Sequence, residues 1–266
     1  MSVTVVVPTR NSMRTVAACL RSIRAQDVPV DLIVVDNDSS DGTYELAREL
    51  ADAAVRGGPE RSAQRNTGVQ LARTEWVLWV DSDMVLPPTT VSAALATAEE
   101  TGADAVAVPE VSVGAGFWTA CRTLERACYV DDPSLHNPRL LRRELLLGDG
   151  AFDPAMAGPE DTDLRLRLRS AGTRTALCPD VLIVHDEGKL TLRSILMKRV
   201  YYGRSLPAFV AKNPGALAGQ GAGTLRALTR HRRALAAHPV RTAGLLLMRV
   251  LEAAAYVVGY QLGRRR

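Results

Sequence analysis

The feature that most constrains this chain is a recurring unit: a short apolar run that ends at a polar or acidic residue, then a segment of helical periodicity. Residues 3–7 (VTVVV) stop at Pro8, 32–35 (LIVV) at Asp36, 75–80 (EWVLWV) at Asp81, and 181–184 (VLIV) at His185. Between them, helices are expected over about Ser12–Ala25, Asp41 or Thr43 to Leu50, Glu60–Ala72 and Thr89–Thr101, with strands near Ala54-Val55 and over Ala105–Val108. Short runs without polar alternation are strands covered on both faces, and alternating strand with helix builds a mostly parallel sheet with helices on both faces. In such a sheet the carboxyl ends of the strands share one edge, and ligands bind there.

Past the fifth strand the pattern loosens. Residues 109–150 are irregular apart from an expected helix through Cys121, Leu124 and Cys128. A helix is expected from Pro159-Glu160-Asp161 to Ala171, and the chain beyond Gly188 is helical. The expected division is therefore 1–188 as an α/β domain in two parts, a regular one over 1–108 and a looser one over 109–188. Residues 189–266 form a helical C-terminal extension.

Charge follows the same division. Gly188 to Arg266 holds 15 Lys and Arg against one acid, Glu252, whereas the first 187 residues hold 18 basic and 28 acidic side chains. A basic tail suits an anionic membrane or a nucleic acid, and the absence of interleaved aromatics argues against nucleic acid. Residues 243–263 are apolar over about the ~20 residues that span a bilayer. Arg249 and Glu252 interrupt that stretch on one helical face with Tyr256. The expectation is a helix lying at a membrane interface, with Arg230, Arg232, Arg233, Arg241 and Arg264-Arg265-Arg266 supplying the charge, or else one that packs on the body of the chain or on a partner such as a second copy. The four cysteines lie far apart without a C-x-x-C pair, which fits a reducing compartment. The chain opens on a strand rather than a basic-then-apolar leader, so the expected location is cytoplasmic, peripheral at the cytosolic face of the membrane if the tail binds lipid.

The strand ends carry the candidate chemistry. Asp81-Ser82-Asp83 places two carboxylates where both can reach one Mg²⁺ or Mn²⁺; the alternative is an acidic turn before the helix near Thr89. Pro8-Thr9-Arg10-Asn11 ends the first strand. Asp36-Asn37-Asp38 offers acceptors for a base N–H and a ribose hydroxyl, while Asp41, Gly42 and Thr43 suit a helix cap. Arg61 and Arg65 share a helix face that can meet nucleotide oxygens or solvent. Glu160-Asp161 opens a helix either as a cap or as a rigidly held general base, with Asp163 second. His185 is either a metal ligand or a structural residue. Trp118, Glu125, Tyr129 and Arg139 are candidate walls of a pocket in the irregular stretch, or else core or surface residues.

The segments VVVPTRN, VVDNDSSDGT, SAQRNTGVQLA, VLWVDSDM and GPEDTDL, in this order, resemble family 2 glycosyltransferases, inverting enzymes of the GT-A nucleotide-diphospho-sugar transferase fold. They cover roughly residues 3–188, and the resemblance implies that 1–108 binds the nucleotide sugar and that 109–188 is the acceptor-binding part. The resemblance implies that Thr9, Asp36 and Arg65 hold the nucleoside, with Pro8, Arg10, Asp38 and Ser82 among the donor contacts. It implies that Asp81 and Asp83 form the metal-binding DXD pair with His185 beside them, and that Asp161 is the base. The implied cofactor is Mn²⁺ or Mg²⁺. The implied partners are a UDP-sugar (favoured) or GDP-sugar donor and a lipid-linked or small-molecule acceptor, with no nucleic acid. The QxxRW motif of processive synthases is missing, which points to a single addition. Two other classes stay open: a nucleotidyltransferase, although PTRNSMRT lacks the glycines of a triphosphate loop, and a non-catalytic sugar-nucleotide-binding membrane scaffold, which would not need Asp81, Asp83 and Asp161 together.

Overall fold

The computed structural model describes residues 2–264, so Arg265 and Arg266 of the basic terminus lie outside the described residues. The strands are β1 (Val3–Thr9), β2 (Val30–Asp36), β3 (Ala53–Arg56), β4 (Trp76–Trp79), β5 (Met84–Val85), β6 (Ala105–Ala107), β7 (Glu110–Ala115), β8 (Pro138–Arg142), β9 (Thr175–Leu177) and β10 (Ile183–Lys189). The helices are α1 (Val16–Arg24), α2 (Thr43–Leu50), α3 (Arg61–Leu71), α4 (Thr90–Thr101), α5 (Phe117–Ala127), α6 (Glu160–Ser170), α7 (Leu192–Gly203), α8 (Leu206–Lys212), α9 (Ala216–Arg230), α10 (Arg232–Ala236) and α11 (Pro239–Gly263).

Two compact units form. The first runs up to Pro109 and adds His136–Pro154 and Glu160–His185. It holds a seven-stranded sheet of order β3-β2-β1-β4-β8-β6-β9, in which β1, β2, β3 and β4 are parallel and β8 runs antiparallel to β4 and β6. Every residue of β1 is buried because helices cover both faces. Val3, Val5 and Val7 pack with Val16, Leu20 and Ile23 of α1 and Val91 and Ala94 of α4. Val6 points the other way, into a core with Val69 of α3, Trp79, Phe152 and Leu164 of α6. Gly68 lets α3 lie directly on β1: a Cβ there would sit 2.2 Å from Val6 Cγ1. The register pairs Thr9 with Asp36, and β4 lies on the other side of β1, so the winding reverses between β1 and β4. That crevice is where ligands bind in open α/β sheets.

Two expectations change. The strand expected to end at His185 instead runs through it: β10 pairs antiparallel with β5, with His185 opposite Met84. The reason is the turn after β4, closed by Met84 N–H donating to the Asp81 carbonyl, which swings the chain out of the main sheet and leaves Met84-Val85 needing a partner. Within the stretch read as irregular, Pro138–Arg142 is a sheet strand, because β4 and β6 on its two sides supply the pairing that its Pro/Arg-rich sequence conceals.

The second unit comprises Glu110–Leu135, Ala155–Pro159 and the chain from Asp186 onward. Its core joins Cys121 of α5, Ile195 of α7, and Leu245 and Met248 of α11. Of the two charges that interrupt the apolar stretch, Glu252 is buried and Arg249 stays partly exposed while pairing with acids of the unit. Glu252 accepts from Arg122 and, at 2.7 Å, from Arg199, while Arg249 meets Glu125 at 3.1 Å. All four cysteines are free and buried.

Candidate active site

The site grows from Arg65, whose guanidinium is wholly buried. Helix α3 starts at Arg61 after a glycine turn, and the close seat of Gly68 on β1 presses its inner face onto the sheet. Arg65 Nη2 donates to Asp81 Oδ1 at 2.8 Å, just past the end of β4. Its Nη1 donates to Asp161 Oδ1 at 2.5 Å, in the first turn of α6, and lies 3.6 Å from Glu160 Oε1. One side chain thus ties together two acids 80 residues apart in sequence. Arg61 adds contacts to Glu160 at 3.1 Å and to Asp81 at 4.0 Å, and Arg139 of β8 approaches Asp81 Oδ2 at 4.0 Å. The Arg65 and Arg139 guanidiniums lie 4.0 and 4.3 Å from the Trp79 ring centroid, so cation–π attraction offsets part of their desolvation.

The cluster splits two carboxylates electrostatically. Burial raises Asp81, but Arg65, Arg61 and Arg139 outweigh it and hold the group far below the usual carboxylate range. Burial also raises Asp161; Arg65 opposes this, Glu160 and Asp81 add to it, and Asp161 is pushed up to about 6. Paired carboxylates whose environments drive them apart are a signature of divided acid–base roles. Asp163 does not join them: it is buried and paired with Arg167 at 2.8 Å on its own helix.

On the β1–β2 side, Asp36 is fully covered. It accepts from Thr9 Oγ1 at 2.8 Å, Ser39 N at 2.8 Å and Ser39 Oγ at 2.6 Å, so it shapes its own loop. Gln64 of α3 donates to the Thr9 and Val35 carbonyls, tying both strand ends to the helix that carries Arg65. Pro8 closes the buried strand beside Thr9, while Arg10 and Asp38 are exposed, with Asp38 lying 3.6 Å from Arg56. Ser82 donates to Ser12 Oγ at 2.8 Å. Gly42 is the N-cap of α2, and Asp41 before it accepts from the Thr43 backbone N–H and hydroxyl.

Asp83 and His185 are brought together: Nε2 lies 3.3 Å from Asp83 Oδ2, because β10 pairs with β5 in the register described. Asp81 Oδ1 is engaged by Arg65, and His185 also acts on the Asp81 carboxylate electrostatically. Among the described residues no three His, Cys, Asp or Glu side chains are gathered as a metal-ligand set. Sequence reasoning misses Gln64, although it stands beside Arg65 in the SAQRNTGVQLA segment, and offers Arg139 only as a pocket wall; helix seating and strand pairing bring the two to the site. Glu125 and Tyr129, the other polar pocket-wall candidates, are partners in the ionic cluster of the second unit.

Fold and site together define an open α/β protein of GT-A architecture, with its charged machinery at the switch point of the sheet. The sequence profile of Glycosyl transferase family 2 matches residues 4–150, more than half of the chain, and the chain belongs to that family. It is 30% identical over 152 residues to the succinoglycan biosynthesis protein ExoO of Rhizobium meliloti (strain 1021), covering 54% of this chain and 43% of that protein. It is 27% identical over 234 residues to the pre-mycofactocin glycosyltransferase of Mycobacterium tuberculosis (strain CDC 1551 / Oshkosh), covering 80% of this chain and 48% of the relative. The chain thus spans about half the length of these curated relatives. Among solved structures, the mannosyltransferase PcManGT of Pyrobaculum calidifontis in complex with GDP-Man and Mn²⁺ superposes with a TM-score of 0.65 at 22% identity, over 98% of this chain and 86% of that one. S. aureus TarS 1–349 in complex with UDP-GlcNAc gives 0.57 at 20% identity, over 100% of this chain and 92% of that one.

Proposed function

We propose that this protein transfers one sugar from a nucleotide-diphosphate sugar to an acceptor hydroxyl, with inversion at the anomeric carbon and Asp161 as the general base. The observation that carries the reading is Arg65 bridging Asp81 at the strand end to Asp161 at the helix start. An acceptor hydroxyl must lose its proton as it attacks, and a carboxylate with a pKa near 6 is ionised at neutral pH yet basic enough to take that proton. Arg65 fixes its direction. Arg61 and Arg139 flank Asp81 as guanidiniums suited to the negative charge that grows on a departing diphosphate. The loops Pro8–Arg10 and Asp36–Asp38 would seat the nucleoside, their shape set by the Thr9–Asp36–Ser39 bonds. A UDP-sugar is the favoured donor and a GDP-sugar the second; the acceptor is a small molecule or a lipid-linked group.

The residues fit a divalent cation through Asp83, a half-exposed carboxylate, with His185 beside it and Asp81 joining if it exchanges Arg65. Bound there, Mg²⁺ or Mn²⁺ would supply charge stabilisation to the leaving diphosphate.

The test is transfer and donor hydrolysis with UDP- and GDP-sugars, with and without EDTA, comparing wild type with Asp83→Ala. Transfer should require the cation, Asp83→Ala should lose it while its melting temperature holds, and NMR should show an inverted product. Full turnover in EDTA removes the metal from the reading, a retained anomer removes Asp161 as base, and nucleotide-sugar binding without any turnover favours the scaffold.

A further inference from the structure

The second unit carries an exposed apolar surface on its longest helix. Helix α11 has the length and composition of a membrane-crossing helix, with a mean hydropathy of 1.5 over its most apolar window. It is not free to cross one. Gly244, Leu245, Met248, Glu252, Ala255 and Gly259 form its buried face. Gly259 meets α7 so closely that a Cβ would sit 2.3 Å from the Val200 carbonyl oxygen. Leaving that seat would also strip Arg122 and Arg199 of Glu252.

Glu252 is buried, and the partly exposed Arg249 is held by Glu125 and Glu252, so the outward face carries no unpaired charge along its middle. Leu246, Leu247, Val250, Val257, Val258 and Leu262 line it, each 39–67% exposed. They recur at three- and four-residue spacing, so they form one stripe, about 24 Å long at about 1.5 Å per residue. Exposed Arg241 and Arg264 stand at its two ends. Between Lys189 and Arg264 eleven Lys and Arg side chains are exposed, and the single acid of that stretch, Glu252, is buried.

We infer that this face seats on an anionic membrane surface, with α11 lying in the plane of the interface and its apolar stripe among the acyl chains. The charge pattern chooses the occupant. A second copy packed through the same face would oppose two like-charged sets of cations, whereas anionic headgroups neutralise them. A nucleic acid would answer the cations but not the apolar stripe. An amphipathic helix with cations around an apolar face binds lipid in this orientation.

Co-sedimentation of the full chain with phosphatidylcholine vesicles, with and without phosphatidylglycerol, tests the inference. The protein should sediment with the anionic vesicles and be released as salt shortens the Debye length from about 10 to about 3 Å. Val250→Glu and Val257→Glu, at exposed positions, should each lower partitioning about tenfold or more with the melting temperature unchanged. Arg232→Glu with Arg233→Glu should lower it on anionic vesicles only. Wild type remaining in the supernatant at low salt, or binding undiminished in both valine variants, overturns the inference. A dimer in sedimentation velocity that dissociates in Val250→Glu, without vesicle binding, assigns the face to a second copy instead. None of these readouts depends on sugar transfer.

Discussion

Replacing Asp161 by Asn should stabilise the protein at neutral pH while disabling it. In the folded chain Asp161 titrates near 6, against about 3.8 for the free carboxyl. Between these values the native state holds a proton that the unfolded chain has released, so stability falls as pH rises through this window. Below about pH 4 both states are protonated and the group contributes nothing; above about pH 6 both are ionised and the full penalty stands. Two units at about 1.4 kcal/mol each give a penalty of about 3 kcal/mol at most. Asn removes the charge and keeps an oxygen for Arg65 to donate to, and Arg65 retains Asp81 and Glu160. The variant should therefore melt about 6–12 °C above wild type at pH 7.5, at about 2–4 °C per kcal/mol for a chain of this size. The difference should close toward pH 4. Melting curves between pH 4 and 8 in EDTA, without nucleotide, measure it. The same variant should lose about 10²–10⁴ in transfer rate if Asp161 is the base. A variant less stable than wild type at pH 7.5, or an offset that ignores pH, would show that the Arg65 ion pair outweighs burial and that the reasoning is wrong.

Two further outcomes test the scaffold. Gly68→Ala should cost about 1–3 kcal/mol by overpacking against Val6. It should depress transfer further by lifting the helix that carries Arg65, and a variant with unchanged denaturant midpoint would refute the close seating of α3. Glu252→Ala leaves Arg122 and Arg199 without their shared buried acid and should cost about 3–5 kcal/mol in urea unfolding; a loss below about 1 kcal/mol would mean that the cluster in the second unit contributes little to holding α5, α7 and α11.

The sequence by itself determined the α/β architecture, because buried parallel strands must be uniformly apolar and their ends must turn polar where they meet water. VTVVV, LIVV and VLWV announce both facts, and the family follows from the motifs at those ends. It also flagged Asp81, Asp83, Asp161, Arg65 and His185 by residue type and position. What it could not supply was their partners. Arg65 reads as either a nucleotide contact or a solvated arginine until Gly68 brings α3 against Val6 and the guanidinium is buried between Asp81 and Asp161. His185 reads as a strand end until the turn at Asp81–Met84 recruits β10 and sets it beside Asp83. Arg139 lies on a strand that its own proline and arginines disguise, and only pairing with β4 and β6 makes it one. On α11, the sequence groups Arg249, Glu252 and Tyr256 on one face, and only packing against α5 and α7 shows what that face pairs with: Arg122, Arg199 and Glu125. Local pattern fixes which residues are buried and which elements form; which charges meet is settled by how those elements pack, since the ion pairs span tens to more than a hundred residues of chain.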